Sequence, residues 1–223
     1  MDGPALLLSL KLALATTIVL LVVGIPIGAW VAFSRRRWKF LVEAVVALPL
    51  VLPPTVLGLA VLVALGPRSP LGRFWEAVTG HGLVFTFEGL LAASVLYSLP
   101  FAVQPVAAAF AGIDRRLLEA SWCLGVSRTG TFLRVVLPLS RRSVVAGAAL
   151  AFAHTLGEFG VVLMVGGNIP GVTRTASVAI YDEVQALNYA GAGATAAVLL
   201  AVSFGVLALT YALQRGVKVG PWR

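Results

Sequence analysis

Long apolar runs separated by short polar breaks organise this chain. Five runs stand out, at about 12–33, 40–65, 83–111, 143–166 and 190–213. A helix needs about 20 mostly apolar residues to cross a bilayer, and each run meets that length. The pattern predicts an all-α integral membrane protein with about five transmembrane helices. One polar break is longer than the rest. Residues about 112–142, between the third and fourth runs, form a charged, amphipathic insert. No polar stretch is long enough to fold alone, so residues 1–223 are expected to form a single transmembrane domain. The first run lacks a basic segment before it and carries its positive cluster after it, so it reads as a retained span rather than a cleaved leader.

Composition agrees with that pattern. The chain is 59% hydrophobic and 12% charged, with mean hydropathy +0.96. Soluble domains carry about 25% charged residues. A net charge of +8 would suit nucleic acid, but the charges follow the loops instead. Arg35, Arg36, Arg37 and Lys39 follow the first run. Arg115, Arg116, Arg128, Arg134, Arg141 and Arg142 belong to the insert, and Arg215, Lys218 and Arg223 end the chain. Those thirteen oppose three, Arg68, Arg73 and Arg174, with Lys11 at the mouth of the first span. Positive charge marks the cytoplasmic side. The expected orientation is N-terminus outside and C-terminus cytoplasmic, with no nucleic-acid partner and with membrane lipid around the spans. Cys123 has no partner for an internal disulfide and is expected to be a small buried thiol.

The second run contains Pro49, Pro53 and Pro54. Proline inside a helix removes a donor and clashes with the preceding turn, so this span must bend or open. Broken backbone at membrane depth survives only inside protein or along a watery cavity. Pro53 and Pro54 therefore line a transport pathway or mark a packing kink. In the third run, Gln104 is placed to hydrogen-bond across helices. The fourth run holds His154, Gly157 and Glu158. Ionisable groups in a span are functional candidates. Four residues apart, His154 and Glu158 share a helix face and either pair structurally or act in transport. Beyond them, Asn168, Thr173 and Arg174 belong to a Gly- and Pro-rich outside loop. Residues 66–82 read as a second outside loop, with Phe74 and Trp75 on the membrane surface.

In the insert, Asp114 is a plausible N-cap for a helix from Arg115 to Leu124. Leu117, Leu118, Ser121, Trp122 and Leu124 would give that helix an apolar face. Gly125 suits a left-handed turn after it. Ser127 would cap a second helix that stops before Pro138.

Some chemistry is absent. The lysines Lys11, Lys39 and Lys218 follow Leu10, Trp38 and Val217, so no Gly-Lys phosphate loop exists. Two histidines, His81 and His154, exclude a His-Glu-x-x-His zinc site. No cofactor or metal site is indicated.

The insert has a recognisable spacing: Glu119-Ala120-Ser121, then Gly125, then nine residues, then Val135-Val-Leu-Pro138. It resembles the loop by which bacterial ABC-transporter permeases grip their ATPase. With Leu48–Pro54, Leu156–Gly160 and Asn168–Thr175, about residues 5 to 215 look like the permease subunit of molybdate ABC transporters, in the oxyanion branch of binding-protein-dependent importers. His154 departs from the Arg usual there.

The resemblance implies a channel subunit for molybdate, with tungstate also accepted, in a prokaryotic cytoplasmic (inner) membrane. It implies ABC ATPase subunits, a second permease copy and an external oxyanion-binding protein as partners, so the chain itself would not be an enzyme. Asp114, Leu118, Glu119, Ala120, Gly125 and Pro138 would couple to the ATPase. Pro53, Pro54, His154, Gly157 and Glu158 would line the path. Asn168, Thr173 and Arg174 would stand at the outer mouth, where Arg174 meets the anion or the binding protein. A sulfate or other oxyanion permease is the alternative, followed by a secondary transporter and an intramembrane enzyme. The orientation has a direct test. Cysteines introduced at positions 70 and 172 should label from outside sealed cells, and one at position 36 should not; labelling at 36 would overturn it.

Overall fold

A computed structural model describes residues 2–215, with side chains as far as Ala212. The Arg215 side chain, Lys218 and Arg223 lie outside the described residues. All regular structure among the described residues is helical.

The first helix, α1, is Gly3–Phe33, with Asp2 accepting from the Ala5 backbone amide as N-cap and Pro4 in the first turn. It starts earlier than the apolar run suggested, because Pro4 to Leu10 are apolar enough to extend it. Lys11 is therefore inside the helix and not at its mouth. Its Nζ sits 4.5 Å over the Phe87 ring, a cation–π contact that suits an ammonium at the edge of an apolar environment.

The second run is two helices, α2 (Lys39–Val51) and α3 (Pro54–Leu65), set 116° apart. The cause is local. Pro53 and Pro54 drive the residues before them out of the helical region, so Leu52 and Pro53 are both extended, whereas Pro49 stays inside α2. Pro54 then occupies the first turn of α3, where a missing N–H costs nothing.

Residues 66–82 are not all loop. Ser69 caps a helix, α4 (Pro70–Thr79), which ends at Gly80 in the left-handed conformation. The Leu71, Phe74 and Val78 side chains form its exposed apolar face.

The third span, α5, is Phe87–Ala111, with Pro100 and Pro105 inside it. It runs parallel to α1: Phe87 lies by Lys11 at one end and Phe110 stacks on Phe33 at the other. The insert then folds as α6 (Arg115–Cys123), α7 (Arg128–Thr131), a π turn (Phe132–Val136) and α8 (Leu137–Leu139). From there α9 (Arg141–Leu156) leaves at 71° and returns antiparallel along α1 and α5.

The fourth run is also broken. After α9 the chain opens at Gly157–Phe159, and α10 (Gly160–Gly166) follows. Then come α11 (Ala176–Gln185), within what read as loop and its continuation, and α12 (Tyr189–Arg215). Among the described residues three helices, α1, α5 and α12, are long and apolar enough to cross a membrane; the count rises to five if each sharply bent pair is one span.

Between membrane helices lipid is as apolar as leucine, so close contact rather than the hydrophobic effect holds α1, α5 and α9 together. Small residues allow that contact. The α-carbon of Gly28 faces Val106 and the Ala107 backbone, and that of Gly147 faces the Ala102 carbonyl. Leu20, Ala102 and Ala151 close the seam between the three helices. The outward stripe of α1, Leu7, Leu14, Ile18 and Val22, is exposed at helical spacing, as expected of a lipid-facing surface.

Candidate functional site

The insert is built around one glycine. Gly125 has φ +80°, the left-handed region that a side chain strains. Its amide donates to the Trp122 carbonyl and the Val126 amide to the Ser121 carbonyl, closing the end of α6. Asp114 caps the other end through the Arg116 amide at 2.9 Å. A buried hydrogen bond of 2.9 Å between Ser121 Oγ and Thr131 Oγ1 then ties α6 to α7. Ser127 caps α7 through the Gly130 amide, as expected.

Pro138 does not stop the second helix. It lies in α8, directly after the π turn, where the Leu137 amide reaches back to the Phe132 carbonyl. Proline clashes with the carbonyl four residues earlier; a widened turn makes room for it. The direction changes at Ser140 instead.

Only part of the expected apolar face of α6 is covered. Leu118 and Ser121 are buried, whereas Leu117, Trp122 and Leu124 are exposed, Leu124 to 83%. Ala120 and Glu119 are also exposed, and Glu119 pairs with Arg115 at 3.2 Å. Cys123 is exposed rather than buried, because it ends α6 on a side with no covering element.

The two broken spans meet. The α-carbon of Gly160 faces Pro54, and that of Gly58 faces Met164 and Val161. A side chain at Gly160 would fall 2.8 Å from Pro54 Cβ, so the contact requires glycine. Pro53, Pro54 and Gly157 are exposed beside it, while Glu158, in the break itself, is 4% exposed.

His154 and Glu158 do not pair with each other. Four residues apart, they would share a face only of one continuous helix, and α9 ends at Leu156. His154 Nδ1 instead shares a 2.9 Å hydrogen bond with Ser98 Oγ, which also contacts Thr155 Oγ1 at 2.8 Å. The imidazole stacks on Phe101 and leans on Tyr97. Neither Glu158 carboxyl oxygen has a hydrogen-bond partner among the described residues; Ser94 Oγ faces it, off bonding geometry and equally buried. Ser94, Tyr97 and Ser98 thus form a polar seam on α5 that sequence reasoning missed. The signal was there: two serines four apart in an apolar span share a face. Gln104 is exposed and makes no cross-helix hydrogen bond among the described residues.

At the opposite end from the insert, Arg174 is committed to protein partners. Its guanidinium lies 3.8 Å from an Asp2 carboxylate oxygen and 3.5 Å from one of Asp182, and its Nε donates to Asn168 Oδ1 at 2.7 Å. Asn168 Nδ2 donates to the same Asp182 carboxylate. Thr173 is buried, donating to the Gly166 carbonyl and accepting from the Ile169 amide. Arg174 is therefore a clasp joining the start of α1, the loop and α11.

Residues 24–219 match the family described as binding-protein-dependent transport system inner membrane component. The chain belongs to that family. Within it, the chain is similar to the molybdenum transport system permease protein ModB of Azotobacter vinelandii, 51% identical over 214 residues that cover 96% of this chain and 95% of the relative. It is also similar to ModB of Escherichia coli K12, at 35% identity covering 82% and 80%. A probable sulfate transport system permease protein, cysT of Prototheca wickerhamii, is 32% identical, covering 92% and 80%. Among solved structures, the inward-facing MetNI methionine ABC transporter has a chain with TM-score 0.76 at 16% identity, covering 98% of this chain and all of that one. A bacterial alginate ABC transporter, solved with a pentasaccharide-bound periplasmic protein, also gives TM-score 0.76 at 16% identity, covering 95% and 77%. These likenesses establish the fold.

For this inner-membrane component the clasp makes a distinguishing prediction. Its ion pairs are partly exposed, and such pairs contribute about 0–1 kcal/mol each. Losing the network in Arg174→Ala should lower the melting temperature by roughly 2–4 °C for a chain of this size. An unchanged melting temperature with reduced uptake would return Arg174 to the role of an anion contact.

Proposed function

We propose that this chain is the channel subunit of an ATP-driven molybdate importer, accepting tungstate as well. The observation that carries this reading is the 51% identity to a molybdenum permease across 96% of the chain. The chain works as one permease domain, in a pair of identical copies. Two ATPase subunits act on the insert, and an external binding protein delivers the anion at the opposite end. ATP hydrolysis belongs to the partner. In this reading the N-terminus lies outside and the insert is cytoplasmic; the charge asymmetry supports that orientation.

The geometry supports a specific mechanical route. Leu117, Ala120 and Leu124 recur at helical spacing on one side of α6 and are exposed, which suits seating in an ATPase groove. The turn at Gly125 and the Ser121–Thr131 bond make α6 and α7 one body. The π turn and Pro138 pass its motion to α9. At the far end of α9 lies the break at Gly157–Phe159, held against Pro54 by Gly160. Tilting α9 displaces Glu158 relative to the polar seam on α5 and to the α2–α3 break. In this reading Pro53, Pro54, His154, Gly157 and Glu158 act as a gate rather than as a high-affinity anion site. Selectivity rests with the binding protein.

A sulfate permease is the second reading, favoured by the cysT similarity. Two measurements test these readings. Valine at position 125 would strain the left-handed turn by about 1–2 kcal/mol, so Gly125→Val should lower ATPase copurification about tenfold while the chain stays in the membrane. Normal copurification would sink the coupling role. In reconstituted transporter, molybdate-loaded binding protein should stimulate ATP hydrolysis. Stimulation by sulfate-loaded protein alone would replace molybdate with sulfate.

A further inference from the structure

A cavity of about 730 Å³ opens beside the insert, between the ends of α1 and α5 and the near side of α6 and α7. Its floor is aromatic, from Phe33, Phe110 and Phe132. Its walls carry three guanidinium-bearing residues, Arg35, Arg115 and Arg128, and no carboxylate lines it. Arg115 is partly neutralised by Glu119. Arg35 and Arg128 have no carboxylate partner among the described residues. The position is where α1 leaves its apolar stretch, next to the paired Trp30 and Trp38 rings that mark a membrane boundary.

We propose that this cavity is a binding site for an anionic phospholipid, with the phosphate between Arg35 and Arg128 and the first acyl methylenes on the phenylalanine floor. Three observations support that occupant. Guanidinium groups bind phosphate oxygens through paired donors. Basic pockets between spans at the cytoplasmic boundary select anionic headgroups. An aromatic floor has no use for a fully hydrated inorganic anion, whereas it suits an acyl chain. The site also leaves the ATPase face of α6 free. At 100° per residue, Arg115, Leu118 and Trp122 lie on the cavity side, and Leu117, Ala120 and Leu124 lie opposite. Lipid would therefore brace α6 from behind while the ATPase engages its front. The proposal rests on the membrane placement of α1 and not on which anion is transported.

The test is native mass spectrometry of the delipidated permease–ATPase complex, offered equimolar phosphatidylglycerol and phosphatidylcholine. Phosphatidylglycerol should be retained about tenfold or more over phosphatidylcholine, reflecting two unpaired guanidiniums at the surface. The double variant Arg35→Gln, Arg128→Gln should lose that preference. Arg36→Gln should keep it, because Arg36 stacks on Trp38 outside the cavity. Excess inorganic phosphate or molybdate should fail to displace the lipid. Equal retention of the two lipids by the unaltered complex overturns the proposal, whether or not the double variant folds. So does preference surviving in the double variant, or displacement by inorganic phosphate or molybdate, which would mark a free-anion site.

Discussion

The packing of the apolar runs answers to one constraint: inside a bilayer, a backbone that leaves the helix must be shielded by protein or water. The chain leaves the helix twice within its apolar runs, at Leu52–Pro53 and at Gly157–Phe159. The two breaks are held together, with Gly160 against Pro54 and Gly58 against Met164. Neither break would be tolerable alone on a lipid-facing helix. Together they form the irregular patch beside which the buried Glu158 sits.

The end with the insert follows a different logic, that of stiffness. A helix as short as α6 has little intrinsic stability. Here caps at Asp114 and Ser127, the left-handed Gly125 and the Ser121–Thr131 bond supply it. Phe132 packs edge-on against Phe110, anchoring the insert to the end of α5. A stiff lever joined to a span by a π turn and a bend is suited to passing motion along the span. A lipid seated behind α6 would add to that stiffness from the membrane side.

The opposite end is held by charge. Asp2, Arg174 and Asp182 gather the first residues of the chain, the loop after α10 and α11. The buried Ser9 hydroxyl accepts from the Ala176 amide nearby, so the start of α11 is fixed to α1 by a second bond. With Arg174 occupied, the loop after α10 offers no unpaired cation to a doubly charged anion. That agrees with a channel that passes anions chosen elsewhere.

The sequence alone determined whatever depends on neighbours along the chain. Apolar length set the helical membrane class, and Asp114, Gly125 and Ser127 set the turns of the insert, because caps and left-handed turns are local chemistry. The helices α4 and α11 are legible in Ser69-Pro70 and in the apolar spacing after Thr175. Only the tertiary structure decided the pairings between distant residues. Periodicity cannot say that a helix stops at Leu156, so it wrongly set Glu158 on the face of His154. It cannot say that Ser98 is the histidine's partner, that Arg174 is spent on two carboxylates, or that Gly160 meets Pro54. Those are contacts between segments tens of residues or more apart in most cases, and composition holds no record of which polar group finds which once the helices pack.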